Sequence, residues 1–172
     1  MAVTEKNLER ALIIGAGITG PVTAMGLQKA GIDATVYEAY DRTADGVGAF
    51  LTVAVNGLAA LRVLDIDPEI PGGFDTPRMI IGNGNGRRLA EFTTGQALDR
   101  DGGNGARPLV SQTIRRSDLY RALRDEAVRR GIDVQYGKRL ESATTRPDGT
   151  VIARFDDGTT AEGDLLIGAD GL

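Results

Sequence analysis

The run Ala11-Leu12-Ile13-Ile14 ends abruptly in Gly15-Ala16-Gly17-Ile18-Thr19-Gly20, and no other feature of the chain restricts its fold as much. Four apolar residues stopped by glycine suit a buried parallel strand better than a helix. Beyond the glycines, Val22, Ala24, Met25, Leu27 and Ala30 follow a helical spacing. Pro21 sits in the first turn, where a missing N–H costs little. Gly31 stops the helix, and Ala34-Thr35-Val36-Tyr37 makes a second strand ending at Glu38. The result is a strand–turn–helix–strand unit with G-x-G-x-x-G at its first turn.

Each glycine of that turn has a physical task. Gly15 permits the tight turn, Gly17 lets the backbone approach a pyrophosphate, and Gly20 lets helix and strand pack closely. The helix N-terminus offers unpaired N–H groups and a positive dipole end to phosphate. Glu38 follows at the distance expected of an acid that accepts hydrogen bonds from ribose hydroxyls, and its charge would repel a 2′-phosphate. In a chain with 24 glycines the motif by itself is a weak signal. The strand before it, the helix after it and the acid beyond make it specific. The expected ligand is FAD or NAD.

Composition narrows the function by exclusion. The chain has 172 residues, a length that suits one domain, and its 41% hydrophobic and 26% charged residues suit a folded core. A net charge of −4 gives no support for a nucleic-acid partner or an anionic membrane. There is no cysteine and no histidine, which excludes disulfides, thiol nucleophiles, Ser-His-Asp triads and the usual zinc sites. No apolar stretch is long enough for a transmembrane helix, and the polar start of the chain does not read as a signal peptide. A cytoplasmic protein is the expectation.

The middle of the chain is read more coarsely. Phe50 to Val55 is expected as a strand, with Asn56 capping a helix to about Leu64 that buries Leu58, Leu61 and Leu64. Met79 to Ile81 and Arg88 to Phe92 read as a hairpin around a glycine-rich turn, and Thr93 to Arg107 as a polar loop. A helix after Arg115-Arg116-Ser117-Asp118 is expected to bury Leu119, Leu123, Ala127 and Val128 and to stop at Gly131. Strands follow at Ile132 to Tyr136, Arg139 to Thr144 and Thr150 to Phe155. A buried strand then runs through Asp164-Leu165-Leu166-Ile167 to Gly168-Ala169-Asp170-Gly171. The class is α/β.

These motifs together resemble the class A flavin monooxygenases, the family of para-hydroxybenzoate hydroxylase. The carriers are Gly15-x-Gly17-x-x-Gly20-x-x-x-Ala24-x-x-Leu27-x-x-x-Gly31 with Glu38, then Arg116-x-Asp118-Leu119, then Gly168-Ala169-Asp170-Gly171. The resemblance covers essentially the whole chain. It implies a Rossmann-like FAD-binding fold of the glutathione-reductase type, a βαβ unit with an inserted β-meander. Gly15, Ala16, Gly17, Ile18, Thr19 and Gly20 would then hold the pyrophosphate, with Glu38 and Ala39 at the adenosine ribose. Leu140 would offer its backbone to the adenine, and Gly48 and Ala49 would lie near the flavin. Arg116 would reach the phosphate or ribityl region, and Asp170 and Gly171 would serve FAD and NAD(P)H binding.

Two departures stand out. The family often carries arginine directly after the ribose acid, where this chain has Ala39; Arg42 is the nearest substitute. The sequence also stops just after the Asp-Gly motif, where the family continues into a second FAD motif and a sheet-based substrate domain. Residues 1–172 are thus expected to be a truncated FAD-binding domain, inactive by itself. Its partners would be a small-molecule substrate and a missing C-terminal half or complementary chain. In the whole enzyme NAD(P)H would reduce FAD, and O2 would give a C4a-hydroperoxyflavin that hydroxylates an aromatic or polyketide-like molecule. No catalytic side chain and no metal ligand are identified. The competing class is a stand-alone FAD- or NAD-binding module that pairs with another chain without turnover.

Overall fold

The computed structural model describes residues 8–41, 49–66, 72–95 and 109–171. In chain order the elements are β1 (Arg10–Ile14), α1 (Thr19–Lys29), β2 (Asp33–Tyr37), β3 (Phe50–Val53), α2 (Val55–Val63), β4 (Phe74–Asp75), β5 (Arg78–Gly82) and β6 (Arg88–Thr93). They continue with β7 (Gln112–Arg115), α3 (Arg116–Arg129), β8 (Asp133–Gln135), β9 (Leu140–Thr145), β10 (Val151–Phe155), β11 (Thr160–Gly163) and β12 (Leu165–Gly168). The chain divides into two compact units: Met1–Asp45 with Tyr120–Leu172, and Gly46–Leu119.

The first unit is built on a parallel sheet of order β12-β1-β2-β8. β1 is central, and Ala11, Leu12 and Ile13 are at most 1% exposed, which is why four apolar residues suffice to define it. Side chains alternate across a strand, so β1 serves two layers. On one face Leu12 and Ile14 join Tyr37, Ala153 and Phe155 in a core cluster beneath the antiparallel sheet β11-β10-β9. The Tyr37 and Phe155 rings lie 4.7 Å apart there. Close packing of this layer also explains Gly163, where a Cβ would come within 3.0 Å of Leu12 Cγ and 3.1 Å of the Arg10 carbonyl oxygen.

The second unit has the antiparallel sheet β3-β7-β4, helix α2 and the hairpin β5-β6. Leu58, Leu61, Ile66, Leu109, Ile114 and Leu119 are its buried apolar residues among those described. Within the hairpin Met79 pairs with Phe92 and Ile81 with Ala90, whereas Ile80 pairs with Glu91. One face is therefore apolar, and its Met79, Ile81 and Phe92 are 49%, 44% and 53% exposed. The other face carries Arg78 and Arg88 in ion pairs with Glu91.

Several sequence expectations are corrected. Asn56 does not cap α2: the cap position is Ala54, with extended backbone, and Asn56 Oδ1 accepts a hydrogen bond from the adjacent Gly57 N–H. Val128 is 55% exposed, and Tyr120 takes its expected place among the buried residues of α3, beside Leu119, Leu123 and Ala127. Strands β4, β7 and β11 lie in stretches for which the sequence suggests no element. β12 is only half-buried although its composition reads as buried. The expected loop after β6 falls largely outside the described residues, as do Arg42 and Gly48. No helix among the described residues is long and apolar enough to cross a membrane.

Candidate cofactor site

Three motifs far apart in sequence meet at the carboxyl edge of the parallel sheet. β1 pairs in parallel with β12 on one side and with β2 on the other. The glycine turn, the Asp-Gly segment and Glu38 therefore emerge side by side, at the edge where open α/β sheets bind ligands.

The backbone at this edge is tightly joined. Gly15 N–H donates to the Tyr37 carbonyl at 2.7 Å, and Ala169 N–H donates to the Ile14 carbonyl at 2.7 Å. Gly15 has φ +105°, and a Cβ there would stand 2.6 Å from the Ala169 carbonyl oxygen and 2.7 Å from Asp170 Cα. Its glycine is thus required twice, by conformation and by the Asp-Gly segment lying against it. A Cβ at Gly20 would stand 1.9 Å from the Gly15 carbonyl oxygen, so α1 starts in contact with the turn it leaves. Gly17 is different: a Cβ there would meet nothing within 4 Å. No fold contact demands that glycine, whereas a pyrophosphate lying on the backbone would.

The start of α1 suits an anion. Its cap residue Ile18 makes no side-chain cap hydrogen bond, and the first turn holds no acidic residue. The first-turn N–H groups are the usual orphans of a helix N-terminus, with the positive dipole end behind them. Ala16 is fully buried, Ile18 half-buried and Thr19 exposed. The Glu38 carboxylate bridges two backbone donors, accepting from Ala16 N–H at 2.8 Å and from Tyr40 N–H at 3.1 Å. A carboxylate has about four acceptor sites, so ribose hydroxyls can be bound as well. The residues present fit a dinucleotide with an unphosphorylated adenosine ribose.

The remaining expected residues are placed as follows. Ala39 is half-buried and offers only a methyl group. Leu140 opens β9, and its side chain packs on the core cluster. Asp170 and Gly171 are exposed, and Gly171 has φ +80°. Ala49 and Arg116 belong to the second unit, where Arg116 N–H donates to the Ala49 carbonyl at 2.9 Å as α3 begins. Lys138 N–H donates to the Glu38 carbonyl at 2.7 Å. Its ammonium lies 2.5 Å from Asp157, and that hydrogen bond, with help from Thr159, lowers the Asp157 pKa from 3.8 to about 2. Burial raises the Tyr37 hydroxyl above its ordinary pKa. No group of three or more metal-ligating side chains occurs among the described residues.

Comparison with known proteins agrees with this geometry. A family model described as "FAD binding domain" matches residues 9–172. A FAD-dependent urate hydroxylase of Klebsiella pneumoniae is 35% identical over 165 residues, covering 94% of this chain and 40% of that protein. The 3-amino-4-hydroxybenzoate 2-monooxygenase PtmB3 of Streptomyces platensis is 31% identical over 179 residues, covering 100% of this chain and 42% of its own length. The crystal structure of Klebsiella pneumoniae HpxO complexed with FAD and uric acid superposes with a TM-score of 0.71 at 30% identity, covering 95% of this chain and 39% of that one. The chain thus spans about two-fifths of the length of these relatives. They are named as enzymes, and no finding favours a module without turnover. With its α/β, Rossmann-like fold, the chain belongs to the FAD-binding-domain family of flavin-dependent monooxygenases and hydroxylases.

Proposed function

We propose that this chain is the FAD-anchoring part of a monooxygenase that uses NAD(P)H and O2 to hydroxylate a small aromatic or polyketide-like molecule. The observation that carries the reading is the open backbone at Gly17, beside an uncapped helix N-terminus and the Glu38 carboxylate, in a chain of this family. When bound, the flavin would accept hydride from NAD(P)H and pass the electrons to O2, the chemistry that puts oxygen on the substrate.

This chain's own residues do the holding. Gly15, Ala16, Gly17, Ile18, Thr19 and Gly20 supply backbone N–H groups and close approach for the pyrophosphate. Glu38 takes the ribose hydroxyls, and Leu140 offers backbone to the adenine. Asp170, set against Gly15, and Gly171 are assigned to FAD and NAD(P)H binding. Gly48 and Ala49 are assigned to the flavin side, and Arg116 to the phosphate or ribityl region.

Substrate binding and water exclusion over the flavin are assigned to polypeptide equivalent to the rest of the relatives' length. The 172 residues alone should therefore bind FAD without sustained hydroxylation. The test is the absorbance spectrum of the purified chain after incubation with FAD and gel filtration, with released flavin identified after denaturation. Retained FAD supports the reading. A colourless protein, or one that retains NAD in preference, rejects it.

A further inference from the structure

Two residues after Glu38, Tyr40 carries a ring that is 67% exposed. Its main chain is held at both ends. Tyr40 N–H donates to Glu38 Oε1 at 3.1 Å, and the Tyr40 carbonyl accepts from Gly137 N–H at 2.8 Å. The Arg139 guanidinium carbon lies 5.8 Å from the ring centroid, in the range of a cation–π contact. Arg139 is held in turn, its carbonyl accepting from Asp156 N–H at 3.0 Å. A flat aromatic–guanidinium pair thus stands on fixed backbone, joined through one carboxylate to Ala16 of the glycine turn.

We infer that Tyr40, backed by Arg139, is the stacking platform for the purine of the bound dinucleotide. The inference rests on the FAD reading and adds to it the residues that hold the base. Two independent features converge on it. Glu38 keeps acceptor sites for a vicinal diol beyond its two backbone bonds, and an exposed aromatic ring with a guanidinium beside it offers a purine a π-face. Ala39 between them is half-buried and has only a methyl, so the exposed planar group beside Glu38 is the Tyr40 ring. Stacking tolerates any purine, which assigns selectivity for the diol to Glu38 and affinity for the base to Tyr40.

The test is isothermal titration of the full 172-residue chain with FAD and with ADP, which carries the base, ribose and pyrophosphate without the flavin. Tyr40→Ala and Tyr40→Phe are compared with the wild type. Tyr40→Ala should weaken both ligands about 10-fold, as expected for a lost base–aromatic stack, while Tyr40→Phe stays within about 2-fold. Because the ring is exposed, both variants should melt with the wild type. Wild-type affinity for FAD and ADP in Tyr40→Ala would overturn the inference and leave the FAD reading standing. So would a loss in Tyr40→Phe equal to that in Tyr40→Ala. A wild-type chain that binds neither ligand would overturn both.

Discussion

The Glu38 carboxylate accepts a hydrogen bond from the Ala16 N–H at 2.8 Å, tying the end of β2 to the glycine turn. Ala16 is fully buried, so this acid completes the turn in addition to the role proposed for it at the ribose. Glu38→Ala leaves a buried donor unpaired and should cost about 1–3 kcal/mol of stability. FAD binding should weaken by about 1.5–3 kcal/mol. Glu38→Gln keeps an acceptor and should recover most of the stability but less of the affinity. Urea unfolding together with FAD titration checks both, and an unchanged unfolding midpoint in Glu38→Ala would deny the structural role.

Gly17 and Gly20 should separate binding from folding. Gly17→Val sets its Cβ in open space and should shift stability by no more than about 0.5 kcal/mol, yet abolish FAD retention. Gly20→Ala sets a methyl against the Gly15 carbonyl and should destabilise by about 3 kcal/mol or more. Thermal melts with flavin absorbance distinguish the two. A Gly17→Val protein that retains flavin would refute the placement of the pyrophosphate.

Two carboxylates set an acid limb to stability. The hydrogen bond from Arg129, aided by Arg130, lowers Glu126 from 4.5 to about 2, and Lys138 lowers Asp157 from 3.8 to about 2. Folded pKa values below the unfolded ones mean that both contributions are complete above about pH 4.5 and are lost as pH falls toward 2. Exposure to solvent keeps both effects small. The Glu126→Gln/Asp157→Asn double variant should show a shallower decline of the urea midpoint across that range. An unchanged slope would assign the acid limb to other groups.

The apolar face of the β5-β6 hairpin should govern solubility rather than cofactor binding. Ile81→Thr with Phe92→Thr should reduce uptake of a hydrophobic dye and aggregation of the chain, because a contiguous exposed apolar surface recruits partners. FAD affinity should not change. Dye binding that persists in full would place the sticky surface elsewhere.

The chain's local signals were sufficient for the βαβ unit and most turns. An apolar run stopped by glycine, helical spacing closed at Gly31, and Pro-Asp-Gly and Asp-Asp-Gly turns depend on neighbours in sequence. The face of α3 was harder: Val128 has the right spacing and chemistry, yet it is exposed and Tyr120 is buried, since which arc of a helix is covered depends on its neighbours. Asn56 has the right residue type for a cap, but α2 begins before it. Strand β11, Thr160-Ala161-Glu162-Gly163, has little apolar character. It is a strand because β10 offers its free edge and because Gly163 permits close approach to β1.

The sequence alone determined the residue types of the candidate cofactor site: the permissive glycines, the acid at the end of β2 and the Asp-Gly pair. Only the tertiary structure decided that they share one edge. That result needs β12 to pair beside β1 from the far end of the chain, and such long-range pairing is selected by packing of the whole sheet. It also decided that Gly15 must yield space to Ala169, that Glu38 holds Ala16, and that Tyr40 stands exposed against Arg139. These are contacts between backbones and side chains distant in sequence, which no local periodicity records.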